Sequence, residues 1–212
     1  MIIKSEDFKK ILINISDAIE KNVNYLTELD AEIGDGDHGA NMNKGFKKIR
    51  QMLKDTETID AGEMLILAGK VLLNEIGGAM GPLYGGGLVK AGISLKGKTE
   101  LDKNDIYLLF SSMLESVKSL GGAKTGDKTM VDTLEPFVES YGKKVSQSDI
   151  KEAFGAALDE AKKGMLSTKD MISRVGRSSR LLERSRGHID VGAASSYIIL
   201  ESFYNSIAVV NS

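Results

Sequence analysis

Apolar residues recur at three- and four-residue steps along most of the chain, the period of an amphipathic helix. Phe8, Ile11, Leu12, Ile15, Ile19 and Val23 form the first stripe, with Ser5 placed to cap its start. Met42, Phe46, Ile49, Met52 and Leu53 form a second, and Met64, Leu65, Leu67, Ala68, Val71, Leu72 and Leu73 a third. The same spacing predicts helices over about 83–95, 104–120, 129–141, 148–163, 168–184 and 192–209. Alternating β-branched runs bounded by turn dipeptides are missing, so the pattern predicts an all-α fold of about eight helices in one domain over residues 1–212. With only two prolines the helices are seldom interrupted, although Pro136 is expected to kink or end its own. No internal repeat, low-complexity tract or linker is visible.

Glycine clusters punctuate this pattern at 34–39, 77–81, 85–87, 121–122 and 126. Most read as helix ends and tight interhelical turns. The first differs because it is interleaved with charge: Asp30, Asp35 and Asp37 fall within eight residues, spaced D-x4-D-G-D. On a continuous helix Asp35 and Asp37 would point to different sides, but Gly34, Gly36 and Gly39 allow a loop on which the carboxylates converge. A carboxylate pair ~5 Å apart at an effective dielectric of ~20 repels by about 3 kcal/mol, so convergence calls for a cation.

Composition narrows which cation. The chain has no cysteine and only two histidines, which excludes disulfides, thiolate chemistry and a multi-histidine transition-metal site. Oxygen-only ligands suit magnesium or calcium. An EF-hand fails, because counting from Asp35 puts Gly39, Ala40 and Phe46 where an oxygen ligand, glycine and glutamate are needed. Magnesium, which shares its shell with substrate phosphates, fits better. The loop leads into the Met42–Phe46 helix, whose first-turn N–H groups offer an anion site where His38 and Asn41 can donate.

Charge excludes other classes. Lys plus Arg is 28 against 30 Asp plus Glu, a formal net charge of −2, which gives no footing for general binding to nucleic acid or an anionic membrane. The N-terminus turns acidic at once at Glu6 and Asp7, and no run reaches the ~18 apolar residues of a spanning helix, so the chain is expected to be cytoplasmic.

Gly92 to Thr99 matches G-x4-G-K-[ST] letter for letter. A phosphate-binding loop of that type follows a buried strand and opens a helix, and neither is expected here, so the segment reads as a basic surface turn. The near match from Gly121 to Thr129 also lacks a preceding strand, though Gly121 could line a pocket.

Four blocks together resemble the L subunit (ADP-binding subunit) of bacterial dihydroxyacetone kinase. They are Glu28 to Met42; Gly77 to Gly85; Gly126 to Asp132; and Gly176-Arg177, Glu183-Arg184-Ser185 and Gly187-His188-Ile189-Asp190. The resemblance implies a barrel of eight antiparallel amphipathic helices with the nucleotide held by loops at one end. It implies that Asp30, Asp35 and Asp37 hold two magnesium ions bridging the nucleotide phosphates. It further implies that His38, Gly39, Ala40, Asn41, Ala79, Met80, Gly121, Met130, Arg177, Asp190, Val191 and Gly192 contact ADP or ATP, with no residue acting as a covalent catalyst. In the phosphotransferase-dependent branch of this family, a phosphohistidine carrier (M) subunit phosphorylates the bound ADP. The γ-phosphoryl then passes to dihydroxyacetone on a K subunit. A chain starting just before its first helix and stopping after its last resembles that separate-subunit type. The resemblance leaves two alternatives: an ATP-dependent ketose kinase subunit, and a non-enzymatic nucleotide-binding regulator that contacts a transcription factor. His188 is a candidate phosphate contact or a packing residue. Departures from the family pattern are Met80 for a usual serine, Val191 for a usual proline, Arg180-Leu181-Leu182 for a usual Tyr-Leu-Gly, and Arg186 for an apolar residue.

Overall fold

A computed structural model describes residues 1–57 and 60–209. Its helices are α1 (Ser5–Lys21), α2 (Val23–Ile33), α3 (His38–Asp55), α4 (Ala61–Glu75), α5 (Gly86–Ser94), α6 (Lys103–Gly121), α7 (Val131–Lys144), α8 (Ile150–Ser167) and α9 (Val191–Val209). A π turn, Gly81–Gly85, leads into α5. The only strands among the described residues are β1 (Ile3–Lys4) and β2 (Glu100–Leu101), paired antiparallel with Ile3 opposite Leu101.

Eight helices close a ring: α1 packs on α3, α3 on α4, and so on in order to α9, which returns to α1. Most residues of the stripes read from the sequence are buried in its interior, Leu73 being exposed and Val23 lying on α2, and buried aromatic rings there pack edge-on and stacked. Phe110 meets Phe137 at 5.0 Å, and Phe154 stacks on Phe203 at 5.1 Å; such pairs add ~0.5–1.5 kcal/mol each beyond area burial. Only about 40 Å³ of apolar void is left among Phe8, Phe46, Leu65, Phe110 and Phe203, so the barrel is filled by side chains. Where α4 meets α5 the backbones touch through two glycine pairs. A Cβ on Gly62 would lie 2.5 Å from the Gly92 carbonyl oxygen, and one on Gly69 would lie 2.6 Å from that of Gly85.

The ninth helix, α2, packs outside the ring against α3 and α9. The sequence stripe ran α1 into it without a break, but Asn22 ends α1 and donates from its side chain to Ala18 O at 2.8 Å. Three further expectations need correction. Ser5 is the first helical residue and not the cap; its backbone N–H and hydroxyl both bond Thr99 O, tying α1 to β2. Of the two outcomes expected of Pro136, a kink or an end, the end does not occur, since α7 runs on to Lys144. Its ring nitrogen cannot bond the Asp132 carbonyl, and Gly164 of α8 brings its backbone against that oxygen instead. The helix expected over 168–184 does not form. Thr168–Asp170 is a short 3-10 turn, and Arg177–Ser185 is 3-10 backbone broken at Leu182.

The Gly92–Thr99 match ends α5, turns, and enters β2 without opening a helix, so the strand-then-helix frame of a phosphate loop is missing. No helix among the described residues is long and apolar enough to cross a membrane.

Candidate functional site

The loop between α2 and α3 is built around Asp30, in the last turn of α2 and 8% exposed. Its Oδ2 accepts the backbone N–H of Asp37 at 3.0 Å and of His38 at 3.2 Å. It therefore caps α3 from the neighbouring helix, and neither Asp35 nor Asp37 is used for that purpose. Gly34 makes the turn possible, since a Cβ there would fall 2.1 Å from Asp30 Oδ1. The outcome is that one oxygen from each of Asp30, Asp35 and Asp37 lies within 4.8 Å of the others. Arg177, from beyond α8, forms an ion pair with Asp35. Nothing else among the described residues neutralises the trio. Three clustered oxygens with a single guanidinium beside them fit a hard divalent cation by chemistry and by charge.

The trio opens into a cavity of about 870 Å³ at one end of the barrel. His38 and Asn41 of α3 line it, as do Ala79 and Met80 before the π turn, Gly121 at the end of α6, and Met130 at the start of α7. Arg177 and the entrance to α9 (Asp190, Val191, Gly192) complete the set of expected residues on its wall. Gly39 and Ala40 are not on that wall. A Cβ on Gly39 would lie 2.3 Å from Val23 O, so this glycine serves the close packing of α3 on α2, and Ala40 faces solvent. His188 is also off the wall; its Nδ1 lies 3.5 Å from Glu32 and its carbonyl accepts Lys128 Nζ.

Several contributors were not read from the sequence. Leu83, Val117, Leu120, Ala123 and Val175 supply an apolar surface large enough for a flat ring. Tyr84, on the π turn and fully buried, places its hydroxyl 2.7 Å from Ser195 Oγ, 3.0 Å from Ser196 Oγ and 3.3 Å from Gly192 O. His38 Nε2 joins the same cluster at 2.9 Å from Ser195 Oγ. Burial pushes the His38 imidazole down to about 4 against the pull of Asp30, so the ring is neutral near pH 7. Lys128, 1% exposed, donates to the carbonyls of Thr168 and His188 and so pins the loop before α9. Burial pushes its ammonium pKa down, against the carboxylates of Asp190, Asp132 and Asp170. Burial likewise pushes the Asp190 carboxyl up to about 7, although Ala193 N–H donates to it at 2.8 Å and Lys128 pulls it down. Asp132 orders the loop ahead of α7, accepting from Gly126 N at 2.6 Å and Thr129 N at 2.7 Å. The glycine spacing around 121–126 and the family-like block from Gly126 to Asp132 were the sequence hints of that loop.

Comparison with known proteins adds to this geometry. The DAK2 domain family model matches residues 32–205. Over 202 residues the chain is 37% identical to the ADP-binding subunit DhaL of PEP-dependent dihydroxyacetone kinase 2 from Listeria innocua serovar 6a, covering 94% of each. Over 191 residues it is 39% identical to the corresponding subunit from Escherichia coli strain K12, covering 90% of this chain and 91% of the other. Among solved structures, the C. freundii dihydroxyacetone kinase in complex with AMP-PNP and Mg2+ has the same fold. It superposes with a TM-score of 0.75 at 24% identity, over 93% of this chain and 33% of that longer one.

Proposed function

The chain belongs to the DAK2 domain family, and from that premise we propose that it is the nucleotide-carrying subunit of a phosphoenolpyruvate-dependent dihydroxyacetone kinase. ADP is held in the cavity and is phosphorylated there by a phosphohistidine carrier subunit. The γ-phosphoryl then passes to dihydroxyacetone, or a similar small ketose, on a separate substrate-binding subunit.

The observation that carries this reading is the carboxylate trio opening into a cavity with both a polar and an apolar surface. Asp30, Asp35 and Asp37 would hold magnesium, two ions on the family reading; bound there, the metal supplies neutralisation of phosphate charge. The chain's own groups do the rest. The first-turn N–H groups of α3 beyond His38, which Asp30 does not take, would attract the phosphates together with that helix's dipole. Arg177 can exchange Asp35 for a phosphate oxygen without leaving the cavity mouth. Leu83, Val117 and Met130 cover the base. His38 is neutral and bonded to Ser195, which suits a positioning role and not that of a phosphoryl carrier.

The test is mass spectrometry of gently purified protein, repeated after adding phosphorylated carrier protein. The expected result is retained ADP, converted in place to ATP. Rapid exchange with turnover of free ATP would instead mark an ATP-dependent kinase subunit. Protein that never binds ADP with magnesium supplied would overturn the reading.

A further inference from the structure

The π turn carries Tyr84 inward against α9, where its hydroxyl meets those of Ser195 and Ser196. All three side chains are buried, so each hydroxyl proton must find an acceptor inside the cluster. Ser196 has the fewest choices. Its Oγ has one hydrogen-bond partner among the described residues, the Tyr84 oxygen at 3.0 Å. A Ser196 proton turned anywhere else would be buried and unpaired, so Ser196 donates to Tyr84.

Burial pushes the Tyr84 phenol up to about 12, so it keeps its proton near neutral pH and passes it on. With Ser196 already donating, its remaining acceptors are Ser195 Oγ at 2.7 Å and Gly192 O at 3.3 Å. The first is an ordinary hydroxyl bond length, and the second lies beyond it. Tyr84 therefore donates to Ser195. The Ser195 proton then faces His38 Nε2 at 2.9 Å or Gly192 O at 3.2 Å. The imidazole nitrogen is both the nearer and the more basic acceptor.

The order of donation is thus Ser196 to Tyr84 to Ser195 to His38. A ring nitrogen that accepts carries no hydrogen, so the imidazole proton is on Nδ1. The reverse order, with Nε2–H donating to Ser195, would run the chain towards Ser196 and leave its hydroxyl with nothing to bond. Nδ1 has no hydrogen-bond partner among the described residues, yet it is not enclosed. It opens onto the cavity wall that His38 lines.

We propose that Tyr84, Ser195 and Ser196 are positioning residues that fix His38 as the Nδ1–H tautomer, so that the ring turns a hydrogen-bond donor, and not a lone pair, towards a nucleotide phosphate oxygen. Histidine free in water prefers Nε2–H, and the cluster reverses that preference. The phosphate contact rests on the proposed nucleotide-carrying role, whereas the tautomer is a property of the unliganded chain.

The test reads the ring directly. Long-range nitrogen–proton correlation spectra of the whole chain, isotopically labelled at histidine nitrogen, distinguish a bare ring nitrogen from a protonated one. With only two histidines, a His188→Gln sample assigns the signals. Near neutral pH, without metal or nucleotide, the wild type is expected to show a bare Nε2 and a protonated Nδ1 at His38. Ser195→Ala removes the donor and returns the ring mainly to Nε2–H. Tyr84→Phe leaves Ser195 free to turn to Gly192 O and gives a mixture of the two tautomers. Magnesium–ADP affinity is expected to fall about tenfold in Ser195→Ala, the loss of one hydrogen bond to a charged acceptor. A merely loosened site would lose affinity without moving the ring proton. Nε2–H in the wild type overturns the inference, and so does an unchanged Nδ1–H ring in Ser195→Ala. A ring that switches tautomer in Ser195→Ala with no change in magnesium–ADP affinity overturns the donor role. Failure of the wild type to bind ADP at all would fail the proposed function and the phosphate contact with it, while the tautomer is still read without ligand.

Discussion

Arg177 forms an ion pair with Asp35 across 142 residues of chain, placing a guanidinium on the same carboxylate that the cation site needs. The pair competes with a metal for Asp35 and is available to a phosphate once a metal takes over. Arg177→Ala is therefore expected to raise magnesium affinity severalfold without nucleotide and to lower ADP affinity at saturating magnesium. Both partners are largely exposed, so the change in stability should stay within ~0.5 kcal/mol. Calorimetric titration of each ligand in the other's absence and presence checks the opposite signs.

Asp30 and Asp35 have different structural duties despite sharing a site. Asp30→Ala removes the acceptor for two backbone N–H groups at the start of α3 and should cost about 1–2 kcal/mol of stability together with cation binding. Asp35→Asn should release ADP and magnesium while the melting temperature barely moves. Equal destabilisation by the two substitutions would contradict this division.

Much of the site was legible because the residues that make it are close in sequence and break the helical pattern. Asp30, Asp35 and Asp37, separated by glycines, could hardly serve only a helix end, and the structure does gather them. The segment over 168–184 misled for a physical reason. Met171, Ile172, Val175 and Leu182 fall at helix-like intervals, but Ser173, Ser178 and Ser185 bond the backbone and one another, offering it an alternative to the helical ladder. The Tyr84, Ser195 and Ser196 cluster was invisible since its members lie over a hundred positions apart and no local spacing joins them.

Tyr84→Phe tests whether that cluster ties the loops of the cavity together. The substitution keeps the ring and deletes the hydroxyl shared by Ser195, Ser196 and Gly192 O. Leaving buried partners short of a bond should cost about 1–3 kcal/mol. ADP affinity should fall as well, because the π turn and the α9 entrance lose the hydroxyl that joins them. Thermal unfolding with and without ADP separates the two effects.

Asp190 predicts a pH dependence. Its folded-state pKa of about 7 lies above the ordinary 3.8, so the folded chain keeps a proton that the unfolded chain gives up across this interval. Stability from this group is full below about pH 4, declines as pH rises towards 7, and is flat above, with an amplitude on the order of 2–4 kcal/mol. Asp190→Asn retains an acceptor for the Ala193 N–H and should abolish that slope, making the variant the more stable chain at pH 8. Denaturant unfolding at pH 5, 6.5 and 8 provides the measurement.

The ring of helices has a consequence for synthesis. Because α9 is the stave that joins α8 to α1, ribosomal release of its 19 residues is required before the barrel can shut. Until then Phe8 has no Phe203 to meet, and Asp190 has not arrived beside the loops that were made first. The nascent chain therefore carries an open, greasy trough of the kind holdase chaperones recognise until α9 is made.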